Sequence, residues 1–508
     1  MRIRFALLLV VIGCGTPTGV PATARAPAPP PPGLLATVSL GNDAALRPLR
    51  AFLEEVKPGP QQALSGPAVT PHLAKAVGAR SLDGLDSNSP RYVLWFDDGG
   101  AKGFAVVAKF SNAAALAANL GDATSVPKGD WAVVGKPAVL AKIGRYALDE
   151  FAHGSANSQP SISVYVPHVL TRYRNEIEAA RKQISENFKA MPNGAQMGPL
   201  LDGYVTGLLS MLQDSERAVV TFETDKQLGG IDLMLVPRAN TRLATFVSLQ
   251  KPAEFGLLQK LTASPWMVFG GGHFEAGPYR QGLIETTAAM YSQADGHAMM
   301  ALVNAMLAAS TGDFAFGGQL SIGKGMEILQ LFPVTSADAI TSAVDKFTAW
   351  LGNGKTLLQM NMKTTLMPAK PSPIGGAQIR GYDMTYDASA IPEQQRAAMK
   401  IILPNGLGVR LAMVDKLAVV AMSNNPTAGI TSGIAAASGK APGFAATAQA
   451  AGLRGSARGH KDSLAFVIDV GVVTGRSALP FMMSLGFSGA QAHFRVTVPS
   501  SVLKLVMQ

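Results

Sequence analysis

Gly103-Phe-Ala-Val-Val-Ala-Lys-Phe110 and Gly325-Met-Glu-Ile-Leu-Gln-Leu-Phe332 are apolar runs with the same spacing from glycine to phenylalanine. A lysine precedes each, Lys102 and Lys324. Just upstream lie an aromatic run and a glycine pair: Tyr92-Val-Leu-Trp-Phe96 before Gly99-Gly100, and Phe314-Ala-Phe316 before Gly317-Gly318. Strand-forming runs joined through glycine are what a hairpin needs, because glycine supplies the positive φ of tight turns. An Ala-rich helical pattern follows each hairpin, over 112–120 and 336–347. Ser111 or Asn112, and Thr335 or Ser336, are the N-cap candidates.

The correspondence extends outward in both directions. Trp131-Ala-Val-Val134 answers Leu417-Ala-Val-Val420, each ahead of a proline (Pro137, Pro426) and a further helical stretch. Ser161-Ile-Ser-Val-Tyr-Val166 answers Ser463-Leu-Ala-Phe-Val-Ile468. The entry strands are Leu35-Ala-Thr-Val-Ser-Leu40 and Trp266-Met-Val-Phe269, leading to helices through Phe52 and Leu53 and through Leu283 and Ile284. The exit strands are Ile231-Asp-Leu-Met-Leu-Val-Pro237 and Ala492-His-Phe-Arg-Val-Thr-Val-Pro499. Matched elements in one order predict a supersecondary module written twice. The expected fold class is α+β: two tandem related modules, 34–252 and 253–508, each a largely antiparallel sheet with helices packed on one face.

Composition agrees with a folded body. Hydrophobic residues make up 47% of the chain and charged residues 15%, which excludes a disordered polymer, and 508 residues exceed one ordinary core. The formal net charge of +10 is dispersed, without the basic run of a nucleic-acid tail, so no nucleic-acid partner is expected. Arg172, Arg174, Arg181 and Lys182 are interleaved with Glu176, Glu178 and Glu186, and Arg454 to Lys461 reads as a Gly-rich solvated loop. Across 169–191, Tyr173, Ile177, Ala180, Ile184 and Phe188 share one helical face, predicting a surface helix packed on a sheet.

The start of the chain has its own pattern. Arg2 and Arg4 precede an apolar run from Phe5 to Ile12, far short of the about 20 residues that span a bilayer. This is the charged region and short apolar core of a secretory signal. Val11-Ile12-Gly13-Cys14 follows, and Cys14 is the only cysteine. The tetrapeptide resembles the lipobox of bacterial lipoproteins. That resemblance implies a signal peptide over 1–13 and lipid on the sulfur and new amino group of Cys14. It also implies a membrane partner through that lipid, with Gly15 favouring the outer over the inner membrane. Loss of Arg2 and Arg4 lowers the charge from +10 to +8. Residues 14–33 then form the lipidated cysteine and a Pro/Ala-rich tether, which at about 3.1 Å per residue reaches roughly 50–60 Å. No cysteine remains for a disulfide in the body. The body is also similar to secreted bacterial proteins that repeat a strand–helix module, a resemblance that brings no activity with it.

Motifs for chemistry are sparse. Ala349-Trp-Leu-Gly-Asn-Gly-Lys355-Thr356 fits a permissive phosphate-loop pattern. A true phosphate loop leaves a strand and enters a helix, whereas here a helical pattern precedes and a strand pattern follows, predicting a simple turn at Gly352 and Gly354. The seven histidines show no close ligand spacing, so no catalytic, cofactor or metal residue is assigned. His273, in Phe269-Gly-Gly-Gly-His-Phe274, is the first to inspect, as an anion nest or a bulged strand end. Asp97-Asp98-Gly-Gly is a carboxylate pair or ordinary turn chemistry. The Met-rich stretch 297–310, with Met299, Met300 and Met306, reads as a fully buried helix or an adaptable groove for an acyl chain. The expected function is a lipid-anchored envelope protein acting as a non-catalytic binding or scaffold module, its partner an envelope protein. A carrier of lipid or another hydrophobic ligand comes next, and a hydrolase third.

Overall fold

The computed structural model describes residues 28–507 apart from stretches within 58–63, 154–159, 190–193, 289–292, 322–324, 360–361, 388–405, 445–461 and 470–479, and residue 254. The chain divides into two units, one of residues up to 177 with 212–238 and 491–508, the other of 178–211 with 239–490.

The first unit is built on β1 (Leu34–Gly41), β2 (Arg91–Asp97), β3 (Lys102–Lys109), β4 (Thr124–Lys128), β5 (Trp131–Gly135), β6 (Ser161–Tyr165), β7 (Ser215–Thr224) and β8 (Leu228–Pro237). They pair in the order β4-β5-β3-β2-β1-β6-β7-β8, antiparallel throughout. Between strands run α1 (Arg47–Val56), α2 (Gly66–Val77), α3 (Ala113–Ala118), α4 (Pro137–Phe151) and α5 (Val166–Arg172). Helices α6 (Arg174–Lys189), α7 (Gly194–Gln213) and α8 (Arg242–Leu249) follow along the chain.

In the second unit the strands are β9 (Val268–His273), β10 (Asp313–Ser321), β11 (Gly325–Pro333), β12 (Lys355–Gln359), β13 (Met362–Pro368), β14 (Ser372–Ile374) and β15 (Ala377–Asp387). They are joined by β16 (Leu407–Val414), β17 (Leu417–Ser423), β18 (Asp462–Ile468) and β19 (Phe481–Ser488). The antiparallel order is β19-β18-β9-β10-β11-β17-β16-β15-β13-β12, with β14 against β15. Its helices are α9 (Arg280–Ala288), α10 (Gln293–Ala309), α11 (Ala337–Leu351) and α12 (Pro426–Ala437). The closing β20 (Gln491–Pro499) lies in the first unit, antiparallel to β8 from Ala492 opposite Leu235 to Pro499 opposite Leu228, and α13 (Ser500–Met507) follows it. The architecture is thus a mixture of helix and large antiparallel sheet, as the strand–helix alternation predicts.

Helices confined to one face are not what the sheets show. Ala105, Val106, Val107 and Ala108 of β3 are all buried, and so is every residue of β5. Consecutive burial on a strand of period 2 requires cover on both faces. Ala105, Val107, Trp131 and Val133 pack with Val139, Ile143 and Ala147 of α4. Their neighbours Val106, Ala108, Ala132 and Val134 pack with Val69, Leu73 and Val77 of α2 and Leu116 of α3. The second unit is layered likewise. Leu329, Leu331, Leu417 and Val419 pack with Ile430 and Ile434 of α12, while Phe332 and Ala418 pack with Ile340 and Val344 of α11.

Local expectations fare unequally. The β2–β3 hairpin forms where expected, with Asp98 Oδ1 accepting from Gly100 N at 3.0 Å and Ala101 N at 2.7 Å. Ser336 caps α11, its Oγ accepting from Ala339 N at 3.1 Å. Gly317 and Gly318 depart from the expected connector role, because both lie inside β10. A Cβ on Gly317 would sit 2.4 Å from the Trp266 ring, so this glycine makes room for a fully buried indole. The helix expected across 169–191 breaks at Tyr173, and Ile184 is 48% exposed, so its apolar stripe is not packed as expected. The Met-rich helix α10 is half-buried rather than enclosed: Met299, Met300 and Met306 are all partly exposed. Among the described residues no helix is long and apolar enough to cross a membrane.

Candidate functional site

The glycine run of β9 explains itself through its neighbours. Cβ atoms would fall 2.2 Å from Ala465 O at Gly270, 2.4 Å from Phe314 O at Gly271 and 1.9 Å from Ser463 O at Gly272. The β18 and β10 backbones therefore approach β9 too closely for any side chain, and Gly272 adopts φ 145°, open only to glycine. The run is a strand core, not an anion nest, and it delivers His273 to the strand end.

There the imidazole is fully buried between two carboxylates. Nδ1 lies 3.0 Å from Asp313 Oδ1 and Nε2 lies 3.2 Å from Glu275 Oε1. A doubly protonated ring satisfies both acceptors, and a neutral ring only one. Gly312, with φ 89°, leaves space for the ring, since a Cβ there would meet Cε1 at 2.8 Å. Gln250 fixes the other side. Its amide donates to Glu275 O at 2.7 Å, and its oxygen accepts from Glu275 N at 3.2 Å.

Beside this group opens a cavity of about 420 Å³ lined by Lys251, Phe255, Leu257, Asp313, Phe314 and Pro333. Gly272 also lines it. Lys251 and Ala253 are tied to the start of β18, with Ser463 Oγ donating to Lys251 O at 2.5 Å and Ala253 N to Asp462 O at 3.0 Å. The size matches small-molecule sites, which are mostly apolar with a few placed polar groups. Sequence reading singled out His273 but missed Asp313, which meets the ring across 40 residues of chain, and also Glu275 and Lys251, which stand in no motif.

A second polar cluster lies in the first unit. Asp97, 1% exposed, accepts from Arg172 Nε at 2.8 Å, Tyr173 hydroxyl at 3.0 Å and Gly99 N at 3.0 Å, with Lys102 Nζ at 3.4 Å. Burial alone would raise its pKa, but these hydrogen bonds outweigh it and hold the carboxyl down at about 2. Tyr173 is pushed up to about 12 by burial and by its bond to Asp97. Asp97 and Asp98 point to separate partners, so the pair acts as turn and staple rather than as an acid–base couple.

The remaining sequence candidates are placed as follows. Lys355 opens β12 directly after α11, with its Nζ 3.0 Å from Asp295 Oδ1 and 3.8 Å from the Trp350 ring centroid. Gly352 and Gly354, at φ 59° and 121°, make the expected helix-to-strand turn. His168 Nδ1 lies 2.8 Å from Leu34 O, and His493 Nδ1 2.9 Å from Asp232 Oδ2. Cys14 and the Arg454–Lys461 cluster lie outside the described residues. No protein-family model matches the chain, and neither a curated protein nor a solved structure is found similar to it.

Proposed function

We propose that this chain is a lipid-anchored protein of the bacterial cell envelope, a non-catalytic binding or scaffold module held above a membrane by lipid on Cys14. The observation behind the reading is Val11-Ile12-Gly13-Cys14 at the end of a short charged-then-apolar leader, in a chain with no second cysteine. The tether is shorter than its composition implies, because Ala28 N already donates to Glu150 Oε1 at 3.1 Å. From Cys14 to Ala28 the maximum reach is about 45 Å at polyproline rise. The test is Cys14→Ala with membrane fractionation and metabolic labelling by a palmitate analogue. Release from the membrane fraction, or accumulation of unlabelled precursor, is expected. A variant processed, labelled and localised like the wild type would sink the anchor, and with it the outer-membrane assignment.

The same proposal reads the body, 34–252 and 253–508, as a tandem duplication. Its support is the order of pairing: β4-β5-β3-β2-β1-β6-β7 in one half and β16-β17-β11-β10-β9-β18-β19 in the other. Corresponding residues face corresponding layers. Trp131 and Val133 pack in one cluster with α4, as Leu417 and Val419 do with α12. Ala132 shares a cluster with Leu116 of α3, the helix after β3, and Ala418 shares one with Val344 of α11, the helix after β11. Val133 opposes Val107 while Val419 opposes Leu331, so the structural equivalent of Val107 lies two residues beyond the one the glycine-to-phenylalanine spacing selects. A shift of two preserves the face of every side chain, which is why both alignments give the same apolar pattern.

A second reading, a carrier of a hydrophobic ligand, draws on the partial exposure of Met299, Met300 and Met306. Methionines at an open surface can repack around an acyl chain. Saturable binding of a fluorescent fatty-acid probe, abolished by Met306→Ala, would put this reading first.

A further inference from the structure

We infer that the cavity beside His273 is a binding site for a small zwitterion with an apolar body, the chemical class of apolar amino acids and short apolar dipeptides. Its lining sets one cation, Lys251, and one anion, Asp313, around Phe255, Leu257, Phe314 and Pro333. Among the described residues Lys251 has no ion-pair partner, and it does not pair with Asp313. Two opposite charges that line one apolar cavity without pairing match a ligand that presents an ammonium and a carboxylate at separate ends.

Three features support a built site over a packing gap. Asp313 is backed by a fully buried imidazole, which Glu275 holds in turn, so the carboxylate is oriented before a ligand arrives. Backbone strain falls on the lining. Phe255 adopts φ 52°, a left-handed conformation disfavoured for a bulky side chain. Such residues persist where surrounding structure holds them and cluster at ligand clamps. The chain just ahead of Phe255 is also fastened, because Lys251 O and Ala253 N both bond to residues at the start of β18. The ligand ammonium is assigned to Asp313 and the ligand carboxylate to Lys251. At about 420 Å³ the cavity accommodates a dipeptide of one aromatic and one aliphatic residue.

This inference names the ligand of a binding module and is independent of the anchor, whose failure would show in fractionation and not here. The test is calorimetric titration of the full-length protein in detergent with L-phenylalanyl-L-leucine, phenethylamine and 3-phenylpropionate. Saturable binding of the dipeptide near one per chain is expected, tighter than either singly charged compound. Asp313→Asn, which keeps an acceptor for His273, should weaken the dipeptide at least about tenfold, the loss of one charge-assisted hydrogen bond. Lys251→Met should do the same while leaving phenethylamine unaffected. Unchanged melting of both variants separates lost binding from lost fold. No saturable heat with the dipeptide, dipeptide binding indifferent to both substitutions, or singly charged compounds bound as tightly as the dipeptide would each overturn the inference.

Discussion

Replacing Asp97 by asparagine should make the acid stability of the first unit insensitive to this site. The carboxylate is buried, accepts three hydrogen bonds from Arg172, Tyr173 and Gly99, and has its pKa lowered from 3.8 to about 2. A depression of nearly two units corresponds to roughly 2–3 kcal/mol of stability. Because the folded-state value is the lower one, this contribution is complete above the unfolded value near 4 and is lost as pH falls through about 2. At pH 6 the Asp97→Asn protein should therefore melt about 5–10 °C below the wild type, given the few degrees per kcal/mol of a unit this size. At pH 2 the gap should have nearly closed, because the wild-type carboxyl is then half protonated when folded and almost fully protonated when unfolded. Differential scanning calorimetry at pH 6, 4 and 2 measures it, the transition that moves at pH 6 marking the first unit. A gap of equal size at all three pH values would refute the argument, since the staple would then act through shape and not through charge.

Glycine substitutions in the second unit should separate crowding from entropy. Gly272→Ala, with its Cβ 1.9 Å from Ser463 O, should cost more than about 3 kcal/mol or prevent folding, while Gly282→Ala on exposed α9, with nothing within 4 Å, should be neutral or stabilise by up to about 1 kcal/mol in urea denaturation. Lys355→Ala removes an ion pair to Asp295 and a cation–π contact with Trp350, so a loss of about 1 kcal/mol is expected with no change in ATP affinity by equilibrium dialysis. A fall in ATP affinity would restore the phosphate-loop reading. Met306→Ala should cost about 1–2 kcal/mol, below the about 2–5 of an enclosed methionine, because the side chain is only partly buried against the α10–α11 cluster.

Legibility in the sequence followed the range of the interaction. The turn at Asp98, the Ser336 cap and the glycine turn ahead of Lys355 each depend on atoms within about four residues, and all three stand where the letters put them. The apolar runs at 103–110 and 131–134 are legible as strands, while the cover that buries both faces of them comes from helices elsewhere in the chain. Gly317, inside β10, is ambiguous in the sequence for a related reason. Its letter is the same whether it frees a turn or admits an indole, and Trp266 lies 51 residues earlier in the chain. The break at Tyr173 was hidden because Tyr173 belongs to the apolar stripe by spacing, yet its hydroxyl answers to Asp97, 76 residues away.

By itself the sequence determined the alternation of strands and helices and the local turns and caps. These follow from backbone geometry and from the 2.0 and 3.6 periodicities of apolar side chains. Tertiary structure decided which faces were covered, why β9 had to be glycine, and which charges met around His273. Those outcomes depend on backbones and side chains converging from distant segments, as when Ser463 reaches Lys251 across 212 residues. Close approach and the pairing of buried polar groups are satisfied between such segments, and no window of sequence contains both partners.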